Sequence, residues 1–155
     1  MVAGGVLIRP MAEGDLEAVA GLCGQLGYPS TPAEVERRLG QIEPSNDDGL
    51  FVAQDARGRV VGWVHVHGRA LLVSDPYAEI GGLVVDGEAR GQGVGRALMA
   101  RAEAWAAEHG YGEVRVRSNT VREGAHRFYQ QLGYRLVKSQ HVFGKSLRAP
   151  EEWQP

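Results

Sequence analysis

Between Leu83 and Leu98 the chain reads Leu-Val-Val-Asp-Gly-Glu-Ala-Arg-Gly-Gln-Gly-Val-Gly-Arg-Ala-Leu. An apolar run that suits a strand passes through a short loop into three alternating glycines, Gly91, Gly93 and Gly95, and then into a long helix. The chemistry this arrangement suits is the binding of a pyrophosphate. The first N–H groups of a helix have no internal partner and point outward, and the dipole places about half a positive charge there. Glycines remove the Cβ atoms that would hold phosphate oxygens away from those donors. Arg90 and Arg96 add charge-assisted bonds, and Gln92 and Val94 complete the stretch.

Other owners of glycine-rich turns fit less well. A nucleotide-triphosphatase loop ends in Gly-Lys-Ser/Thr, whereas Gly95 is followed by Arg96 and Ala97. The dinucleotide pattern G-x-G-x-x-G is not met: Gly91-x-Gly93 leads to Arg96, and Gly93-x-Gly95 leads to Leu98. Glu113 lies where an acidic ribose-binding residue would sit, yet Asp86–Ala89 separates the strand from the glycines. A plain flexible turn before an ordinary helix needs neither the glycine spacing nor the two arginines.

The elements that must position this turn follow from periodicity. Val6–Arg9 reads as a first strand, and Glu13–Leu26 carries Leu16, Val19, Ala20, Cys23 and Leu26 at helical spacing. Gly27-Tyr28-Pro29 breaks it, and Thr31-Pro32-Ala33-Glu34 opens a second helix through Ile42 as a capping box with proline at the first position. After a polar loop over Pro44–Gly49, Leu50–Gln54 and Val60–Gly68 form a hairpin, and Tyr77–Val85 is a further strand with Gly81-Gly82 inside it. Such a glycine pair marks a bulge or a close approach. Gln92–His109 is helical, with Val94, Leu98, Ala102, Trp105 and Ala106 as its apolar stripe. Glu113–Ser118 is a strand, Val121–Leu132 a helix, and Tyr134–Val137 and His141–Leu147 are two closing strands. Three successive strands without helices between them argue for a mixed sheet, antiparallel early and parallel near the last two helices.

Length and composition set the outer bounds. At 155 residues, 43% hydrophobic and 23% charged, the chain reads as one globular domain over 1–155 and not as a disordered segment. One cysteine, Cys23, excludes an intrachain disulfide and an all-cysteine metal site and fits a reducing, cytoplasmic setting. The first residues lack a basic leader, and no run approaches the roughly 20 apolar residues of a membrane span. A net charge of −2 argues against nucleic acid, although arginines crowd the later half, as a local anionic ligand would require.

Arg90-Gly91-Gln92-Gly93-Val94-Gly95 resembles the Arg/Gln-x-x-Gly-x-Gly/Ala signature of the GNAT superfamily of N-acetyltransferases. Ala78-Glu79-Ile80 resembles the family's acid-bearing strand. Ser118-Asn119, Arg122, Ala125, Phe128-Tyr129 and Gly133-Tyr134 are similar to its second cofactor-side block. The resemblance implies an α/β (α+β) GNAT-like fold: a central mixed, mostly antiparallel sheet of about seven strands flanked by four helices. It implies acetyl-CoA as donor and direct attack by a primary amine in a ternary complex, with no metal, and it suggests a homodimer. Carried onto this chain, it gives Leu83, Val84 and Val85 main-chain contacts to the pantetheine arm, with the Leu83 N–H as oxyanion donor. Backbone groups from Gln92 to Arg96 would hold the pyrophosphate, Asn119 the pantetheine amides, and Arg122 a phosphate.

Acetyl transfer poses two proton problems, since an ammonium must lose a proton and a thiolate must gain one. Glu79 is the candidate base, through a water, if burial raises its pKa from about 4.3. Tyr129 is the candidate acid at the sulfur, its phenol near 10 facing a thiol of about 8.5. His65 and His67 share a strand face; with no third ligand they are solvated or line the acceptor cleft. The Leu26–Pro29 turn is an acceptor-side loop. A small cationic acceptor, such as an aminoglycoside or polyamine, would need Glu34, Glu36, Glu43, Asp47, Asp48 or Asp75 to converge. A protein amine, or a CoA-binding module without catalysis, are the alternatives.

Overall fold

The computed structural model describes residues 2–3, 5–118 and 123–148. The chain falls into two compact units, Met1–Arg117 and Ser118–Pro155. In the first unit β1 (Val2–Ala3) and β2 (Val6–Pro10) lead through a 3₁₀ turn into α1 (Leu16–Leu26) and α2 (Pro32–Ile42). Then come β3 (Asp48–Gln54), β4 (Val60–Leu71), β5 (Ser74–Val85), a second 3₁₀ turn (Gly87–Ala89), α3 (Val94–Glu108) and β6 (Val114–Val116). The strands form one sheet in the order β1-β2-β3-β4-β5-β6. Pairing is antiparallel from β1 to β5 and parallel between β5 and β6, the mixed arrangement that the spacing of strands and helices predicts.

Local sequence explains where the helices stop and start. Gly27 closes α1 with φ of +102°, a left-handed conformation that costs an L-residue about 1–2 kcal/mol. At α2 the Thr31 hydroxyl accepts from the Glu34 N–H at 3.1 Å, and the Glu34 carboxylate accepts from the Thr31 N–H at 2.9 Å. The expected capping box is present, with Pro32 at the first turn.

The sheet is covered on both faces. Alternate residues of β4 point to α3, whose buried stripe includes Val94, Leu98, Ala102, Trp105 and Ala106 as its spacing predicts. A Cβ at Gly62 would lie 3.0 Å from Leu98 Cδ1 and 2.9 Å from the Val84 carbonyl oxygen, so glycine lets the helix seat closely. On the other face Val19, Ala20 and Val35 pack against Val52, with Cys23 and Trp63 beside them. Each fully buried aliphatic side chain contributes roughly 1.5–3 kcal/mol. Asp15, 5% exposed, ties this layer to β2 by accepting two hydrogen bonds of 2.8 Å from Arg9.

Two expectations need correction. Among the described residues the sheet has six strands, only five of them three residues or longer, and not about seven. In the second unit α4 (Glu123–Gln131) is followed by Gly133, with φ of +94°. Tyr134–Val137 and His141–Leu147 then form no strands. Their alternating apolar residues give strand propensity, but a strand exists only through a ladder partner. Leu136, Val137, Val142, Phe143 and Leu147 remain exposed. Conversely, β4 and β5 run past their expected ends, because pairing continues to Leu71 opposite Ser74.

Candidate active site

The turn before α3 is built from what it lacks. Gly91 (φ +79°) and Gly93 (φ +82°) are left-handed, and Gly93 is the N-cap of α3 with no side chain to satisfy the first-turn donors. No acidic residue stands in that first turn. Gly95 is helical, so its value is a missing side chain and not an unusual conformation. Buried Val94 pins the start of the helix, while Gly91, Gln92, Gly93 and Arg96 are exposed. Asp86 fixes the approach: its carboxylate accepts from the Glu88 N–H at 3.0 Å, and its own N–H donates to Val61 at 2.8 Å. Gln25 of α1 accepts from the Gly87 N–H at 2.9 Å. Arg90 turns back toward the Val85 carbonyl, with Nε at 3.4 Å. These features fit a diphosphate cradle.

β5 leads into that turn with one side unpaired. β6 pairs with it only from Ala78 to Ile80, whereas β4 pairs with Leu83, Val84 and Val85. Among the described residues no strand therefore runs along 81–85 on the β6 side. His65 is opposite Gly82 and Val66 opposite Ile80, so Gly81 is the extra residue of a bulge. Gly82 is required for a different reason, since a Cβ there would stand 2.7 Å from the Trp63 ring.

Side chains from β3, β4 and β5 meet beside the bulge with Arg117, which follows β6. Glu79, 7% exposed, accepts a 2.8 Å hydrogen bond from Arg117 Nε on one carboxylate oxygen. Its other oxygen lies 3.5 Å from Arg69 Nη1 and 3.4 Å from His67 Nε2. His65 Nε2 is 2.7 Å from Asp48 Oδ1, and the two imidazole centroids are 5.2 Å apart. Burial pushes the His65 pKa below the ordinary 6.5, with the Asp48 hydrogen bond and charge opposing and His67 adding to the fall. The carboxylates considered for a cationic acceptor do not converge on one point here. Glu34 caps α2, Asp47 accepts from the Tyr111 hydroxyl at 2.6 Å, and Asp48 is committed to His65.

In the second unit Tyr129 is half-buried on α4, with the Phe128 and Tyr134 rings edge-on at 5.2 and 6.1 Å. Asn119 and Arg122 lie outside the described residues. Two features escaped sequence reasoning. One is the Asp48–His65 pair, because Asp48 reads as loop. The other is a cavity of about 420 Å³ beside the turn, lined by Arg57, Arg59, Val61, Glu88, Gln92 and Val94. The Arg57–Arg59 spacing on a hairpin was its available signal. Among the described residues no group of three or more His, Cys, Asp or Glu side chains is gathered to hold a metal, and no helix is long and apolar enough to cross a membrane.

A strand feeding an uncapped glycine turn, with a covered mixed sheet behind it, defines an anion-binding site in an α+β fold. The pattern of the Acetyltransferase (GNAT) family matches residues 18–134, and the chain belongs to that family. GNAT acetyltransferases use acetyl-CoA as acetyl donor. The chain is 33% identical over 106 residues to a mycothiol acetyltransferase of Thermobispora bispora, covering 67% of this chain and 35% of that protein. The matched region thus spans about a third of that relative. It is 31% identical over 139 residues to an aminoglycoside N(6')-acetyltransferase type 1 of Stenotrophomonas maltophilia, covering 86% of this chain and 89% of that protein. A solved transcriptional regulator of Bacillus halodurans has a TM-score of 0.79 and 27% identity, with 90% of this chain and 99% of that chain covered.

Proposed function

We propose that the protein is an acetyl-CoA-dependent N-acetyltransferase that acetylates a primary amine by direct attack while both substrates are bound. The acceptor is a small molecule, aminoglycoside-like or a polyamine. The observation that carries this reading is the uncapped turn at Gly91 and Gly93, placed at the end of a strand whose residues 81–85 have no partner strand on one side among the described residues. The Stenotrophomonas relative, aligned over most of both chains, supports the aminoglycoside-like acceptor.

Acetyl-CoA supplies the activated acetyl group as a thioester. Main-chain donors from Gln92 to Arg96 hold its pyrophosphate, with Arg90 and Arg96 adding charge. Leu83, Val84 and Val85 offer backbone groups to the pantetheine arm, and the Leu83 N–H serves the acetyl oxygen. On the family pattern around them, Asn119 and Arg122 add contacts to the donor, and Tyr129 gives the departing sulfur its proton. Glu79 belongs to the acceptor end, where Arg117 and Arg69 answer its charge.

Thermal-shift measurement with CoA and acetyl-CoA, followed by thiol release with aminoglycosides, polyamines and peptide amines, tests the reading. A ligand at about a hundred times its Kd stabilises by about 2.7 kcal/mol. Absence of stabilisation by either coenzyme sinks the assignment. Stabilisation without thiol release favours a CoA-binding module, the reading to which the regulator-like structure lends support. Thiol release with peptides alone moves the acceptor to proteins. A homodimer, which the family resemblance suggests, is checked by sedimentation.

A further inference from the structure

Of Glu79, His67 and His65, which stand beside the bulge, the first two are occupied. Both Glu79 oxygens face cations or an imidazole: Arg117 at 2.8 Å on one, Arg69 at 3.5 Å and His67 at 3.4 Å on the other. His67 spends Nε2 on that contact, while its Nδ1 lies 3.3 Å from the Gly68 carbonyl oxygen. His65 differs. Its Nε2 is held by Asp48 at 2.7 Å, and its Nδ1 has no partner among the described residues. That nitrogen lies 3.1 Å from where a Cβ of Gly81 would be, and Gly81 is exposed. The bulge and the missing side chain together leave a small space in front of Nδ1.

We propose that His65, oriented by Asp48, is the base that takes the proton from the acceptor ammonium in the space vacated at Gly81. This rests on the N-acetyltransferase reading. With Nε2–H donated to Asp48, the neutral ring presents its lone pair at Nδ1. His65 takes one proton from the ammonium and becomes imidazolium, whose charge Asp48 stabilises. The freed nitrogen pair forms the N–C bond, and the C–S bond breaks with its pair on sulfur. The sulfur takes its proton from Tyr129, the second nitrogen proton restores the phenol, and His65 returns its own proton to solvent, so one proton is released per turnover. Among the described residues, the charged or titratable groups that act on His65 are Asp48 of β3 and His67 of β4. β5 presents Gly81 to it, with Gly82 as its backbone partner, and Glu79 touches His67. Burial keeps the ring neutral near pH 7, since it holds the pKa below 6.5. Asp48 is a positioning residue.

The test compares kcat/KM against pH for wild type, His65→Gln, Asp48→Asn, Glu79→Gln and Gly81→Ala, with acetyl-CoA affinity by calorimetry and His65 ring titration by NMR. Wild type should gain activity through an ionisation below 6.5, matching the ring titration. His65→Gln should lose roughly a hundredfold at neutral pH. That gap should narrow as pH approaches the amine's own pKa, because the acceptor then arrives deprotonated. Asp48→Asn should lose about tenfold and lower the ring's titration further, as one hydrogen bond to the charged form is lost. Gly81→Ala should lose at least about tenfold, since its methyl fills the space, with acetyl-CoA affinity unchanged. Wild-type activity with an unaltered His65→Gln profile overturns this proposal alone, as does loss of the acid limb in Glu79→Gln with its retention in His65→Gln. Wild type that binds acetyl-CoA yet acetylates no amine overturns the transferase reading and this proposal with it.

Discussion

The turn that opens α3 and the polar strip across β3 to β6 belong to one compact unit and work by opposite means. The turn offers main-chain groups, and its sequence consists of deletions: two left-handed glycines, a third inside the helix, and no side-chain cap. The strip works through side chains, each already engaged: Glu79 by arginine, His67 by Glu79, His65 by Asp48. Backbone donors at a helix N-terminus read charge and shape alone.

The largest expected effect breaks the turn and spares the strip. Gly93→Val forces a β-branched residue into a left-handed conformation, costing about 1–2 kcal/mol, and displaces donors worth about 1.5–3 kcal/mol to a charged partner. Calorimetry should show acetyl-CoA binding weaker by on the order of a hundredfold, with the His65 ring titration unmoved. Retained affinity would place the diphosphate elsewhere.

A second contrast concerns the two buried acids, Asp15 at 5% and Glu79 at 7% exposure. Asp15 is structural. The hydrogen bonds from Arg9, more than its charge, hold the Asp15 carboxyl below the usual carboxylate range, and the Ala12 N–H contributes as well. A depressed folded pKa means stability that is present above about 3.9 and lost as pH falls through the lower folded value. Asp15→Asn should lower stability at pH 7 by about 1–3 kcal/mol and flatten the acid side of the stability profile, measured by urea unfolding. Acid dependence as steep as wild type's would assign that loss to another group.

Tyr129→Phe separates holding from chemistry: kcat should fall at least about tenfold with acetyl-CoA affinity little changed. Unchanged turnover removes Tyr129 from the mechanism. The smallest effect is spectroscopic. The hydrogen bond to Asp47 raises the Tyr111 pKa from 10 to about 12. Its small stabilising contribution is therefore present below 10 and lost as pH rises through about 12. The phenolate absorbance of Asp47→Asn should return toward the ordinary value.

Legibility followed the same divide. The glycine turn, the Thr31–Glu34 box and the α3 stripe are local patterns, and each stands in the structure where its spacing puts it. The parallel β5–β6 pairing followed from a helix between them. The expected strands at 134–137 and 141–147 failed because alternation cannot supply a partner. Asp48 reads as loop because nothing local extends the strand to it; its pairing opposite His67 does.

What the sequence determined by itself was the turn, since backbone conformation and missing Cβ atoms are properties of consecutive residues. What tertiary structure alone decided was the strip. Cross-strand register brings Asp48, His65, Glu79 and Arg117 within hydrogen-bonding reach although up to 69 positions separate them, from Asp48 to Arg117. A one-residue slip would send each side chain to the opposite face of the sheet.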